Sequence, residues 1–358
     1  MKFLNTIITG TGSYIPEIVM KNSDFAGNVF YNKDSTMIES SGDEVIRKFK
    51  DITGIEERRY LPDNMRTSDI SAIAAEKAIE DAGIDRETID QIIVAHNFGD
   101  VIKDTIQTDI LPSLASRVKH LLKIKNTSCI PYDILFGCPG WVQGVIQAHA
   151  YINSGFAKRC LVIGTDTLSR VVDPHDRDSM IFADGAGASI VEAKEESEKR
   201  GIMSFSVMSH TEQEAYYLYL GKSNLPGCNP NIRYIKMDGR KIYEYSLSNV
   251  PAAMKIALDK SGIDISEIKK VLIHQANEKM DEAMISRFYK LYKQKDIPEK
   301  IMPMSIHKLG NSSVATVPTL YDLIVKGQIE GHVINKDEII IFASVGAGMN
   351  INAIVYKS

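Results

Sequence analysis

Short unbroken apolar runs alternate along this chain with longer stretches in which apolar residues recur every three or four positions. Ile92-Ile-Val-Ala95 and the core of residues 158–164 are of the first kind and predict strands, a run without polar alternation predicting one covered on both faces; residues 7–12 read as a strand entering a Gly-Thr-Gly-Ser turn. Residues 68–82, closed by Gly83, are of the second kind and predict a helix, as do residues 279–292. After Pro139, Trp141, Val145, Ala148 and Ile152 keep helical spacing until Gly155. Strands alternating with helices predict an α/β layered fold. The polar, irregular residues 22–42 predict a surface loop.

The pattern also repeats. Ala78-Ile-Glu-Asp-Ala-Gly-Ile-Asp85, then Ile89 and Ile92-Ile-Val94, returns as Ala257-Leu-Asp-Lys-Ser-Gly-Ile-Asp264, then Ile268 and Val271-Leu-Ile273. The offset is 179 residues, half of the 358. A second echo pairs Asp184-Gly-Ala-Gly-Ala-Ser-Ile190 with Val345-Gly-Ala-Gly-Met-Asn-Ile351, each closing a strand-rich segment. Two echoes in one order predict two duplicated halves, 1–195 and 196–358, joined within the charged residues 192–200.

An apolar content of 44% supports a sizeable core. The net charge of −4 and pI near 6.1 supply no broad cationic field, which argues against nucleic acid as the main partner. No apolar run approaches the ~20 residues that span a bilayer, and residues 1–10 lack the long apolar region of a secretion signal, so a cytoplasmic protein without a membrane partner is expected. Cys129, Cys138, Cys160 and Cys228 form no CxxC pair and have no histidine at zinc spacing. Neither a disulfide framework nor a metal is expected, and free thiols suit a reducing compartment.

Cys138 nevertheless stands in a setting that activates thiols. Pro139 suits a first helical position, which puts Cys138 at or next to the helix cap, facing unpaired N–H groups and the positive end of the helix dipole. The repeated strand of the second half ends in His274-Gln-Ala-Asn277, and Asn311 lies in Gly310-Asn-Ser312 at the start of the helix that mirrors the one after Cys138. Asn311 caps that helix or faces the cysteine across the two halves. A thiolate attacks an acyl carbonyl, an imidazole exchanges hydrogen bonds or protons, and an amide N–H donates to developing negative oxygen. By itself this Cys/His/Asn set also admits a thiol hydrolase. His274 lies 136 residues after Cys138, within the ~130–150 of papain-like proteases, while Asn311 lies 173 after it and falls outside. His96 and His307 are candidates for supporting roles, and His149 reads as a packed or surface residue.

Asp133-Ile-Leu-Phe-Gly-Cys138, Ser154-Gly155, Asp173-Pro-His-Asp-Arg177, Phe182-Ala-Asp-Gly-Ala-Gly187, His274-Gln-Ala-Asn277, Gly310-Asn-Ser312 and Thr53-Gly-Ile-Glu-Glu-Arg58 together resemble the β-ketoacyl-acyl-carrier-protein synthase III family of the thiolase superfamily. The resemblance spans nearly the whole chain. It implies a five-layered αβαβα fold, a homodimer and a decarboxylating condensation in fatty-acid biosynthesis. Cys138 accepts an acyl group from acyl-coenzyme A; His274 and Asn311 stabilise the enolate released from malonyl-acyl-carrier protein; the backbone N–H groups of Cys138 and Ala347 hold the oxyanion. No metal or cofactor beyond the coenzyme A thioester substrate is implied. Arg177 matches an arginine that stacks on the adenine of coenzyme A, although the tryptophan opposite it is replaced by Lys48. Lys279 and Arg287 match positions credited with carrier-protein docking, and Leu111 stands where an aromatic residue often ends the acyl pocket. Residues 97–110 and the N-terminal loop are longer than usual. A condensing enzyme or acyltransferase of secondary metabolism and a non-catalytic acyl-carrier-binding module are the other readings.

Overall fold

The computed structural model describes residues 2–105 and 107–358. Nine strands form one mixed sheet: β1 (Phe3–Tyr14), β2 (Gln91–Ala95), β3 (Ile130–Ile134), β4 (Arg159–Thr167), β5 (Asp184–Glu196), β6 (Gly201–Ser209), β7 (Ile268–Ile273), β8 (Ile339–Gly346) and β9 (Asn350–Lys357). Their spatial order is β7-β8-β9-β6-β1-β5-β4-β2-β3. From β1 outward, β1-β5 and β5-β4 are antiparallel and β4-β2 is parallel. From β6 outward the same sequence recurs in β6-β9, β9-β8 and β8-β7. The two sets meet in parallel at Thr6 and Gly201.

Alternate side chains of these strands go to opposite faces, and both faces are covered. Ile92, Val94, Leu161 and Ile163 pack with α2 (Thr67–Ala82) and α3 (Leu114–Leu121), while Ile93, Ala95, Cys160 and Val162 pack inward on α4 (Gly140–Asn153). In the other set Leu272, Ile340 and Phe342 join the same inner cluster with α8 (Thr316–Val325). Val271, Ile273, Ile339 and Ile341 face α5 (Gly239–Ser261) and α6 (Glu278–Leu291) on the outside. Helix, sheet, inner helices, sheet and helix give the five layers, and double coverage explains the unbroken apolar runs. No helix among the described residues is long and apolar enough to cross a membrane.

The first echo is one turn built twice. Gly83 and Gly262 cap α2 and α5 in the left-handed region at φ 62° and 71°, and Asp85 and Asp264 then cap a short 3-10 turn leading into β2 and β7. The second echo is less alike than its letters. Gly185 and Gly187 lie within β5, whereas Gly346 ends β8 and Ala347 and Gly348 form the turn before β9.

Residues 22–42 are more than a surface loop. Phe25 and Phe30 are buried with Val45 and Phe49 of α1 (Gly42–Thr53), and the fully buried Arg58 sits over the Phe25 and Phe49 rings, 4.9 and 5.7 Å from their centroids. Arg58 donates to Met180 O, Met20 O and Asn22 Oδ1, which ties the segment to the rim of the site.

Candidate active site

Cys138 lies in the loop from β3 to α4. Pro139 takes the N-cap position and not the first helical one, the helix begins at Gly140, and Cys138 stands next to the cap as the sequence suggests. Gly137 turns the chain at φ 68°, and a Cβ on it would come within 2.6 Å of Ala347 N. Reciprocally, a Cβ on Gly346 would come within 2.4 Å of Cys138 N. Two bare glycines thus let the nucleophile loop and the β8 end touch backbone to backbone. Cys138 and Ala347, the two residues expected to offer oxyanion N–H groups, are each next to one of these glycines.

His274 follows β7; its N–H donates to Ala343 O at 2.9 Å, and the side chain is buried. The neighbouring Gln275 is a clamp. Its Nε2 donates to Pro303 O, and its Oε1 accepts from Ser305 N and Ile306 N, fixing the start of α7 (Ile306–Leu309). Asn311 comes just after α7. Its backbone bridges to the other strand set, N to Ile181 O at 3.0 Å and O from Ala183 N at 2.8 Å. Its Oδ1 accepts from Ser313 N at 2.8 Å, so the amide group left for a ligand is Nδ2. Asn311 therefore closes a local turn, and α8 begins only at Thr316.

Cys138, His274 and Asn311 all line one cavity of about 570 Å³. Its inner wall is largely apolar, with Phe182, Val345, Met280 and Met349, and residues Lys33, Ile38 and Ser40 of the N-terminal segment line it as well. Lys33, Lys48, Arg177 and Arg240 are exposed lining residues, against one acid, Asp178. No cluster of three or more His, Cys, Asp or Glu suited to a metal occurs among the described residues.

Burial sets the protonation states. It pushes the Cys138 thiol up to about 12, with the Ser313 hydroxyl acting in the opposite direction. Burial also pulls His274 down to about 4, opposed by the Ser313 backbone. At rest the pair is thiol and neutral imidazole.

The remaining sequence candidates scatter. Arg177 is exposed at the cavity mouth, and Lys48, also there, pairs with Glu44 at 2.6 Å. Lys279 and Arg287 lie on the exposed face of α6 outside the cavity lining, Arg287 donating to Leu247 O. Leu111 is 88% exposed and does not line the cavity. His96 is buried and bonds Asp133, His307 bonds Glu278, and His149 packs near Thr6; none reaches Cys138. Sequence reasoning missed Ser313, Asn97 and Asp166, a connected polar chain that ends on Cys138 Sγ. One signal was available: Asp166 puts a buried carboxylate near the end of a central strand whose middle is the apolar Cys160-Leu-Val-Ile163.

The family model described as 3-oxoacyl-[acyl-carrier-protein] synthase III matches residues 132–211, and its C-terminal counterpart matches 258–358. A β-ketoacyl-[acyl-carrier-protein] synthase III of Staphylococcus haemolyticus is 32% identical over 355 residues, 99% of each chain. The 3-oxoacyl-[acyl-carrier-protein] synthase III structure from Aquifex aeolicus superposes with a TM-score of 0.80 at 27% identity, covering 99% of this chain and 100% of its own. A priming β-ketosynthase from the R1128 polyketide pathway shares the fold, with a TM-score of 0.80 at 22% identity over 99% of this chain and 96% of its own. This chain thus belongs to the β-ketoacyl-acyl-carrier-protein synthase III family, acyltransferases built on the five-layered thiolase fold.

Proposed function

We propose that the chain condenses an acyl group from acyl-coenzyme A with malonyl-acyl-carrier protein through an acyl-cysteine. The observation that carries this reading is one cavity lined by Cys138, His274 and Asn311, beside which the nucleophile loop and the end of β8 meet backbone to backbone. In the first stage Cys138 Sγ attacks the thioester carbonyl and the two N–H groups hold the oxyanion. The carbon–sulfur bond to coenzyme A breaks, and the thiol proton passes to the leaving thiolate. In the second stage malonyl thioester loses carbon dioxide. Its electron pair becomes an enolate whose oxygen accepts from neutral His274 and from Asn311 Nδ2. The enolate carbon attacks the acyl-cysteine, the carbon–sulfur bond to Cys138 breaks, and the departing thiolate takes a proton from solvent. The thioesters supply both leaving groups, so the chemistry requires no cofactor.

The cations at the mouth, of which Lys48 and Arg240 also pair with Glu44 and Glu244, suit the phosphates of coenzyme A and of a carrier protein's prosthetic arm, and Lys279 and Arg287 offer an acidic carrier protein a nearby docking face. The same proposal includes duplicated halves, 1–195 and 196–358, supported by the matching strand pairing, and a cytoplasmic homodimer. Support for the dimer is apolar surface at the end of the sheet: β3 is the terminal strand, and Ile130, Leu135 and Leu111 are 48%, 65% and 88% exposed.

Intact-protein mass tests the reading. Wild type incubated with acyl-coenzyme A gains one acyl group and loses it as β-ketoacyl product when malonyl-acyl-carrier protein is added; Cys138→Ser gains none. An unmodified wild-type protein across a panel of acyl-coenzyme A thioesters would overturn it.

A further inference from the structure

One buried polar chain next to the nucleophile has no part in the two stages above. Ser313 Oγ lies 3.4 Å from Cys138 Sγ. The same oxygen accepts from Asn97 Nδ2 at 3.0 Å. Asn97 also donates to Asp166, N to Oδ1 at 2.9 Å and Nδ2 to Oδ2 at 2.6 Å. Asp166 is 1% exposed at the end of β4.

Counting hydrogens gives this chain a direction. An ionised carboxylate only accepts, so Asp166 turns the Asn97 amide with its N–H₂ group inward. One amide hydrogen goes to Asp166 and the other to Ser313 Oγ. The Ser313 oxygen is thereby an acceptor from Asn97, and its own hydrogen is shared between Cys138 Sγ and the Asp166 carboxylate, which the same hydroxyl helps keep ionised. The backbone holds Ser313 in this orientation. Its φ is +54°, in the left-handed region that side chains other than glycine rarely adopt, and Asn311 Oδ1 fixes its N–H. Strained backbone of this kind gathers where a functional group must be aimed.

We propose that Ser313 is a further catalytic residue, its hydroxyl donating to Cys138 Sγ to stabilise the thiolate, with Asn97 and Asp166 as positioning residues that aim it. The assignment rests on Cys138 as the nucleophile. Among the influences on the Cys138 thiol, the Ser313 hydroxyl is the largest one opposing burial.

Ser313→Ala and Ser313→Gly test it in the full chain, the glycine variant because it removes the hydroxyl while accepting the left-handed backbone. Two rates are read: iodoacetamide alkylation of Cys138 at pH 8, followed on the Cys138 peptide, and single-turnover acylation by acyl-coenzyme A. Both fall about tenfold in each variant, the equivalent of one unit of thiol pKa lost with a charge-assisted hydrogen bond. The acyl-coenzyme A concentration for half-maximal acylation and the rate of malonyl decarboxylation stay at wild-type values, since neither depends on the thiolate. Asn97→Ala slows alkylation by less, because a hydroxyl that is no longer aimed still donates part of the time. Alkylation at the wild-type rate in both Ser313 variants overturns the assignment, as does an equal fall in decarboxylation, which marks a structural role. Alkylation reads the thiol whether or not it ever carries an acyl group. Absence of acylation in wild type therefore counts against the condensing reading alone.

Discussion

Adding one methyl group at Gly346 separates the geometry of the site from its chemistry. The Cβ of Gly346→Ala would stand 2.4 Å from Cys138 N, 2.7 Å from Pro139 Cδ and 3.0 Å from Cys138 Cβ, where ordinary contact begins at 3.4 Å. None of these atoms is the end of a flexible side chain, so relief requires the nucleophile loop and β8 to part by about 1 Å, a displacement worth roughly 10²-fold in rate when it falls on reacting groups. On the proposed mechanism the same movement displaces an oxyanion donor, and loss of one such donor costs about 10²–10³ in kcat. Both routes predict a kcat lowered about a hundredfold or more, ~2.7 kcal/mol of barrier, alongside the ~1–3 kcal/mol of stability typical of overpacking. Gly239→Ala is the control: Gly239 lines the same cavity in the first turn of α5, and nothing lies within 4 Å of its added Cβ. Steady-state condensation and thermal melting of both variants decide the matter. Wild-type kcat in Gly346→Ala, or an equal loss in Gly239→Ala, would refute the idea that backbone contact between the two strand sets builds the site.

Other perturbations read other parts of the molecule. Asp281 is fully buried on α6 with neither oxygen hydrogen-bonded, and burial, helped by Glu278 and Glu282, raises its pKa well above the usual range. A folded pKa above the unfolded one means stability is lost as pH rises from the unfolded value of ~4 toward the folded one, at up to about 1.4 kcal/mol per unit. Asp281→Leu is expected to flatten that slope and to raise the urea midpoint at neutral pH. His274 shows the reverse sign: its folded pKa of about 4 lies below the free value, so its contribution is present above ~6.5 and lost as pH falls through 4. The acid limb of malonyl decarboxylation accordingly falls near pH 4, and a limb near 6.5 would contradict a buried neutral imidazole. Arg177→Ala is expected to raise the KM for acyl-coenzyme A, more at low salt than at high, with kcat unchanged; steady-state kinetics at two ionic strengths checks it.

What could be read from the chain was what local chemistry determines. The unbroken apolar runs of β2, β4 and β7 announced strands covered on both faces, and Gly83-Ile-Asp85 and Gly262-Ile-Asp264 announced one turn used twice. Cys138, His274 and Asn311 were legible because each stands at a strand or helix boundary marked by glycine, proline or a polar break. Ser313, Asn97 and Asp166 were not legible as a unit, since contacts spanning 216 and 69 residues bring them together and only the strand-end carboxylate of Asp166 stands out alone. Residues 22–42 deceived for a similar reason. Their composition is that of a loop, yet Phe25 and Phe30 find a core only because Arg58, Val45 and Phe49 are brought beneath them. The cap position failed by one residue, as Pro139 serves as N-cap and not as the first helical residue.

The resting state of the site follows from the same burial that defines its shape. Desolvation raises the Cys138 thiol and lowers His274, so both are neutral at physiological pH and neither reacting side chain carries a charge at rest. On the proposed mechanism this is an advantage. A neutral imidazole with an N–H can donate to the enolate oxygen, whereas a pre-formed imidazolium would bind the malonyl carboxylate and hold the group that must leave as uncharged carbon dioxide. The thiol has the opposite need, because attack requires a thiolate that the apolar wall disfavours. Charge therefore has to appear only when it can pass at once to the carbonyl oxygen between the Cys138 and Ala347 N–H groups. A hydroxyl aimed at Sγ lowers the barrier to that moment without ionising the cysteine beforehand, which is why the short chain from Asp166 through Asn97 to Ser313 belongs beside this nucleophile.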